Sequence, residues 1–414
     1  MSRKLKTLIL LLITIISVVS VSGCYDSNEV DDLAYVIAIG VDKADDNSFN
    51  LTFQTAVPKS ITGGEGESTD IKTFKTDNFL TGLKKTSAYL ERKINLSHTK
   101  IIVVSEEVAK EGIMAFLNGL QQNIELRPSV EIIVSSEGAQ KYIESIKPKL
   151  SSSPAKHYDL LFKSFETDFL VKDTQLEDYM YRAKYKSTQP IAIYAAIDKS
   201  INDEEKSDNG NKKQEEEDKK DEESSKEDKD KDDKNKGDEN KEGSMSVAGL
   251  AVFKMDKMVG KLNKDEAMLF ALMTSTKNKE IEIVDPLDDR FKVLGNVTKL
   301  RTSSSKVKII NGKPQINIKL DLNVDVKAVQ SDNDYDDPEN GAKLKAAYEQ
   351  YLNEGIKKLL DKTTKELKSD IFGFAQEAKK NFLTIDDWEN ANWDDIFVKS
   401  EYELMVDVKV RRQS

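Results

Sequence analysis

The sequence predicts an α+β protein of several domains, built from mixed β-sheets that are each packed with helices. Three observations carry this. Segments in which apolar residues alternate at period two interleave with segments that repeat at helical spacing. An acidic run without large apolar residues interrupts the chain. Once a leader of 23 residues is removed, residues 24–414 remain, which is long for one core.

The elements follow in order. Ala34–Val41 and Phe49–Val57 read as strands joined at Asp45-Asp46-Asn47. Leu51, Phe53, Thr55 and Val57 share one face, as in a half-buried strand. Residues 76–92 read as a helix, with Phe79, Leu83, Ser87 and Leu90 on one side. Lys100–Val104 is a buried strand. A helix follows from Glu106, capped by Ser105, with Val108, Ile113, Phe116, Leu117 and Leu120 as its stripe. Val130–Val134 is a strand, and Ala139, Tyr142, Ile143 and Ile146 mark a further helix. Pro148 and Ser151–Pro154 mark a boundary, and residues 155–186 read as mainly helical.

Pro190–Ile197 and Val247–Lys254 read as strands on either side of the acidic insertion at 199–243. Asp203–Glu242 contains no Leu, Val, Ile, Phe, Tyr or Trp, so it has no apolar surface to set against its ordering cost and is expected to be disordered. The flanking strands are expected to pair across it, because loop closure costs grow slowly with length. Leu250–Leu262 predicts a hairpin turning near Met255-Asp256-Lys257, with a short helix from Lys264. Val307–Ile310 and Gln315–Val329 predict a second hairpin about Asn311-Gly312. Residues 342–368 read as a long helix, with Leu344, Tyr348, Leu352, Ile356, Leu359 and Leu367 near one stripe. Tyr402–Val410 alternates as a final strand. The expected divisions are a leader 1–23, an N-terminal domain 24–147, a middle domain 148–286 and a C-terminal domain 287–414.

The leader specifies an address. Arg3, Lys4 and Lys6 form a basic start, and Thr7–Ser22 is uncharged and mostly apolar. This stretch is short for a membrane span and has the order of a secretory signal. Val21-Ser22-Gly23-Cys24 then places two small residues before the chain's single cysteine. That is the arrangement of a lipoprotein signal. Cleavage is expected after Gly23, with Cys24 carrying S-diacylglycerol and an N-acyl group. A lone exported thiol has no disulfide partner, and lipidation accounts for it. Two or more acyl chains make a stable anchor.

The net charge of −11 becomes −14 when Arg3, Lys4 and Lys6 are lost. Residues 201–243 hold 19 Asp/Glu and 11 Lys/Arg, so −8 of it is local. No basic face for nucleic acid is indicated. His98 and His157 are the only histidines, and no zinc, thiol, nucleophile-elbow or phosphate-loop motif occurs. Gly63-Gly64-Glu65-Gly66 lacks the following lysine of a phosphate cradle and reads as a surface loop. Asp332, Asp334 and Asp336 alternate as in a calcium loop, but Asp337 replaces the turn glycine and Lys343 replaces the bidentate glutamate, so a capping and turn role before the long helix is expected. Asp42-Lys43 and Asp370 are polar positions at element ends, and nothing about them points to catalysis. No catalytic, cofactor-binding or metal-ligating residue is identified, and the sequence makes no case for an enzyme.

Six stretches resemble the Ger(x)C family, the lipoprotein C subunits of spore germinant receptors. They are Gly23–Asp26 with Glu29–Leu33; Ile39–Lys43 with Leu51–Gln54; Ser97–Lys100 leading into Ser105–Gly112; Glu125–Pro128; Gly249–Lys254 through Lys257–Leu262; and Lys368–Phe374 followed by Trp393 and the last strand. They occur in order over nearly the whole mature chain. Tyr25 stands where the family often has Trp, and the acidic insertion is long. The resemblance implies a three-domain α+β architecture and no enzymatic activity or cofactor. It implies a receptor subunit supporting assembly and signalling in spore germination. Its partners would be a multi-spanning A subunit and a transporter-like B subunit, with a lipid anchor at the outer face of the spore inner membrane. The alternative is the substrate-binding lipoprotein of a transporter, which would need a ligand cleft between domains. A lipid-anchored hydrolase is a third class, to be recognised by activity lost on one carboxylate substitution.

Overall fold

The computed structural model describes residues 32–45, 48–57, 68–121, 125–146, 154–165, 174–185, 187–198, 244–301 and 304–412, with isolated positions among the first 14. Cys24, the 63–66 glycine run and the 199–243 insertion lie outside the described residues.

Two mixed sheets organise the described residues. The first begins with β1 (Leu33–Lys43), β2 (Phe49–Val57) and β3 (Ser68–Thr76), an antiparallel meander. After α1 (Phe79–Leu90), β4 (Lys93–Asn95) pairs beside the start of β1. β5 (Ile101–Ser105) and β6 (Glu131–Ser135) continue the sheet in parallel with β1. Their sequences, IIVVS and EIIVS, are buried throughout, as expected where both faces of a parallel strand are covered. β7 (Ile191–Asp198) adds in parallel to β6, and β8 (Ser244–Lys254) and β9 (Lys257–Asn263) close the order β3-β2-β1-β5-β6-β7-β8-β9. The strands flanking the acidic insertion thus pair antiparallel, as their sequences predict.

One face of this sheet is covered by α1, α2 (Glu106–Glu111), α3 (Met114–Gln121) and α6 (Leu176–Tyr185). The other is covered by α4 (Ala139–Ser145), α5 (Pro154–Phe165), α7 (Lys264–Thr274) and the second sheet's layer. Ser105 caps α2 through the Val108 N–H, as predicted. The helix expected to run on through Leu120 is broken at Gly112–Ile113, because the Ile113 N–H bonds the Asp256 carbonyl (3.1 Å) rather than the preceding turn. Asn263 and Glu266 form a reciprocal cap on α7.

The second sheet contains β10 (Lys279–Val284), β11 (Lys292–Lys299), β12 (Ser304–Ile310), the long β13 (Lys313–Val329) and β14 (Glu401–Arg412). β13 alternates strictly in its first half, burying Ile316, Ile318, Leu320 and Leu322. These meet α8 (Pro338–Asp361), whose predicted stripe of Leu344, Tyr348, Leu352, Ile356 and Leu359 is buried. Each such side chain contributes about 1.5–3 kcal/mol on full burial. The Tyr348 hydroxyl lies 3.2 Å from the carbonyls of Ile281 and Val293 and donates to this pair, tying the helix to β10 and β11. A π-helical turn (362–366) ends α8, and the short helices α9 (Phe374–Ala378), α10 (Ile385–Ala391) and α11 (Trp393–Phe397) lead to β14.

The sheets divide the described chain at other places than the expected boundaries. The division at 147/148 falls inside the first sheet, because β7, β8 and β9 extend it. That at 286/287 falls between β10 and β11, which pair with each other.

Candidate functional site

The motif residues gather at strand ends, where they satisfy backbone groups. Asp42 lies near the C-terminal end of β1. Its carboxylate accepts from the Ala139 N–H (2.7 Å) and the Gln140 N–H (2.8 Å), capping α4, which has no side-chain cap of its own. Burial pushes its carboxyl up and the two N–H groups oppose this. Lys43 pairs with Glu107 (3.6 Å) and Glu111 of α2. His98 is exposed and meets the ring of Tyr35 edge-on at 4.8 Å. Glu125 accepts from the Leu96 N–H (3.4 Å), holding its stretch against the residue just before Ser97.

The cap of α8 comes from Asp337, next to the alternating aspartates, of which Asp334 holds a turn just before it. Asp337 accepts from the N–H groups of Glu339 and Asn340 at the start of α8, and Asp334 accepts from the Asp336 N–H (2.9 Å). Tyr335 and Ser331 reach back to donate to Asp285, which also takes the Leu287 N–H (2.8 Å). Among the described residues no group of three or more His, Cys, Asp or Glu has metal-holding geometry. Among them, too, no helix is long and apolar enough to cross a membrane.

The most densely bonded of these positions is Asp370, between the two sheets. Lys368–Phe374 follows the π-turn, and Asp370 is 3% exposed. Oδ1 accepts from the N–H groups of Gly373 (2.9 Å) and Phe374 (3.1 Å). Oδ2 accepts from the Ala375 N–H (2.8 Å) and the Trp393 indole (3.0 Å). One carboxylate therefore caps α9 and pins α11 to it. Burial pushes the carboxyl up to about 6, against the pull of these N–H groups.

The backbone beside it binds the first sheet. The Gln189 N–H donates to the Asp370 carbonyl (2.8 Å), and the Ser369 hydroxyl donates to the Phe253 carbonyl (2.6 Å). Gln189 Oε1 takes the Met255 N–H (2.6 Å), closing the end of β8 onto the loop before β7. Phe372 is half-buried between Phe270 (5.3 Å) and Phe374 (5.4 Å).

Two glycines of these stretches have geometric causes. At Gly249 φ is +145°, and a Cβ would stand 2.0 Å from the Leu262 carbonyl oxygen. At Gly373 φ is +77°, and a Cβ would stand 2.5 Å from Thr188 Oγ1.

With four donors on its two oxygens, the Asp370 carboxylate is equipped to hold structure. The sequence singled out Asp370, Phe372 and Trp393 but not Gln189, whose loop position before a proline carries no signal of its own. Cys24 lies outside the described residues, so its environment is not part of this geometry.

Two family models match the chain in order. "Spore germination protein N-terminal domain" covers residues 26–197, and "Spore germination B3/ GerAC like, C-terminal" covers residues 248–414. Spore germination protein KC of Bacillus subtilis (strain 168) is 22% identical over 97% of this chain and 93% of its own length. Putative spore germination protein YfkR of the same organism is 21% identical over 98% and 97%. Spore germination protein A3 is 31% identical over 34% of this chain and 38% of its own. The crystal structure of the GerBC protein matches in fold with a TM-score of 0.50 at 16% identity, covering 90% of this chain and 96% of that one. In sequence motifs, family models and fold alike, the chain belongs to the Ger(x)C family of spore germination proteins.

Proposed function

We propose that this chain is a non-catalytic, lipid-anchored subunit of a spore nutrient germinant receptor, supporting its assembly and signalling in germination. Its relatives are named as spore germination proteins. The observation that carries the reading is the succession of both family domains, 26–197 and 248–414, behind a leader that closes on Val21-Ser22-Gly23-Cys24. In this reading the anchor holds the chain at the outer face of the spore inner membrane. Tethering raises its effective concentration beside a multi-spanning A subunit and a transporter-like B subunit. The Asp370 junction suits such a role, because it ties the two sheets together.

Affinity capture of the tagged chain from detergent-solubilised spore membranes tests the assembly. Recovery of a multi-spanning partner is expected, and its absence under conditions that recover the intact chain overturns the reading. The anchor has its own test. Cys24→Ala should leave the chain unprocessed or released from the membrane. A variant that still has the mature mass and still partitions into detergent would refute the lipidation.

A further inference from the structure

β1, β5, β6 and β7 run parallel, so they all start at one end of the first sheet. The polypeptide reaches β1 at that end, through Asp32. Seven residues separate Cys24 from Asp32, so the thioether lies no farther than roughly 28 Å from Asp32 along a fully extended chain.

Helix α6 lies across the same end. Its first residues bond the loop before β6, with the Leu176 N–H donating to the Val130 carbonyl (2.8 Å) and the Glu177 N–H to the Pro128 carbonyl (3.1 Å). Toward its other end Arg182 approaches the Gln189 carbonyl (3.5 Å), just before β7. Leu176, Tyr179, Met180 and Ala183 are buried inward. Outward it presents Tyr181 and Tyr185, 55% and 59% exposed, with ring centroids 4.7 Å apart. Lys184 is exposed beside them, with Nζ 5.8 Å from the Tyr185 ring centroid. A groove of about 750 Å³ opens between this helix, Met114 of α3 and Pro128. The β8–β9 turn at the same end exposes Met255, with Lys257 beside it.

We propose that this end of the first sheet, centred on Tyr181, Lys184 and Tyr185, is a bilayer-contacting surface that seats in the headgroup zone beside the lipid anchor. The inference rests on the acylation of Cys24. Tyrosines with neighbouring lysines suit a zone that is apolar on one side and wet and anionic on the other. The geometry permits the contact: β1 and β7 are three strand spacings apart, roughly 15 Å, within the tether's reach. Weak surface affinity suffices once the anchor has paid the cost of association.

The test uses the mature chain in vesicles of equal phosphatidylglycerol and phosphatidylcholine. Acylated Cys24 leaves no other thiol in the chain, so an introduced cysteine carries an environment-sensitive fluorophore uniquely. Tyr185→Cys and Met255→Cys report on the proposed surface. Glu137→Cys, exposed directly after β6, reports on the opposite end of the sheet. Spin-labelled lipid is expected to quench the first two at least about fivefold more than the third. Equal quenching at 185 and 137 overturns the proposal. Shielding of 185 in spore membranes but not in these vesicles also overturns it, in favour of a protein partner. If the chain fails to float with vesicles, the acylation reading has failed. A histidine tag in place of residues 1–24 then holds the same variants on nickel-chelating lipid, where quenching at 185 supports the surface and its absence overturns it.

Discussion

Asp42 and Asp370 each stand at the end of a secondary-structure element and each gather backbone N–H groups from the start of a short helix. Asp42 is half-buried, takes two N–H groups and binds α4 to the sheet it already covers. Asp370 is buried, takes three N–H groups and an indole, and its neighbours bond the other sheet. The same side chain thus serves as a local cap in one place and as the centre of a junction in the other. Depth and the number of stranded donors set the difference. A half-exposed donor that loses its partner turns to water, whereas a buried one bears its full desolvation cost.

The largest effect expected is therefore from Asp370→Ala, which strands four donors, three of them on buried residues. It should cost about 3–5 kcal/mol in denaturant unfolding of the soluble chain, and it should loosen protease protection around Gln189 and Phe253. Asp42→Ala should cost about 1–2 kcal/mol, the range of a lost helix cap. Equal losses at the two positions would break the comparison.

The pH dependence separates them further. The Asp370 carboxyl is raised to about 6 in the folded chain, mainly by burial, and an unfolded aspartate titrates near ~3.9. Between these values the folded state holds a proton that the unfolded chain has released. This contribution to stability is fully present below the unfolded value and is lost as pH rises through about 6. Asp370→Asn removes that titration and, at Oδ2, places an amide N–H₂ against the Ala375 and Trp393 donors. The variant should be less stable than the parent throughout, with a deficit that widens as pH falls from 7 toward 4. A deficit that does not change over this window would assign the titration elsewhere. Trp393→Phe keeps an aromatic ring, though a smaller one than the indole, and withdraws one donor from the ionised carboxylate. A loss of about 1.5–3 kcal/mol is expected at neutral pH and less at pH 4.

Gln189→Ala should cost about 1–2 kcal/mol, since it leaves the Met255 N–H without its acceptor. The effect should be local, visible as faster amide exchange at Met255 while α9 and α11 stay protected.

The legibility of the two sites follows from what builds them. β1, β5, β6 and β13 were readable because their alternation or continuous apolar runs are dictated by burial. β3 was not, since STDIKTFKT is an edge strand that is half-exposed along most of its length. β10 is short and carries Glu280 and Glu282 on its open face, and β11 is interrupted by Gly295 and Asn296, so KEIEIV and KVLGNVTK carry weak signals. Asp42 and Asp370 stood out as polar residues at element ends, but their partners did not. Most of those partners are backbone N–H groups, which every residue except proline has, and Ala139 lies 97 positions from Asp42. The break at Gly112 likewise depends on a carbonyl, that of Asp256, far along the chain.

A surface ion pair joins the same two regions as the Asp370 junction. Lys254 at the end of β8 lies 3.4 Å from Asp394 in α11, with the two side chains 35% and 37% exposed. In geometry it repeats the link made by Ser369 and Phe253, but both charges remain hydrated, so separating them leaves nothing stranded. Lys254→Met should change stability by no more than about 0.5 kcal/mol, and any loss should shrink further in molar salt. If instead it rivals Gln189→Ala, the junction is held by charge at its rim. A small effect beside a large one at Asp370 would place the link between the sheets in buried donors that have no alternative partner.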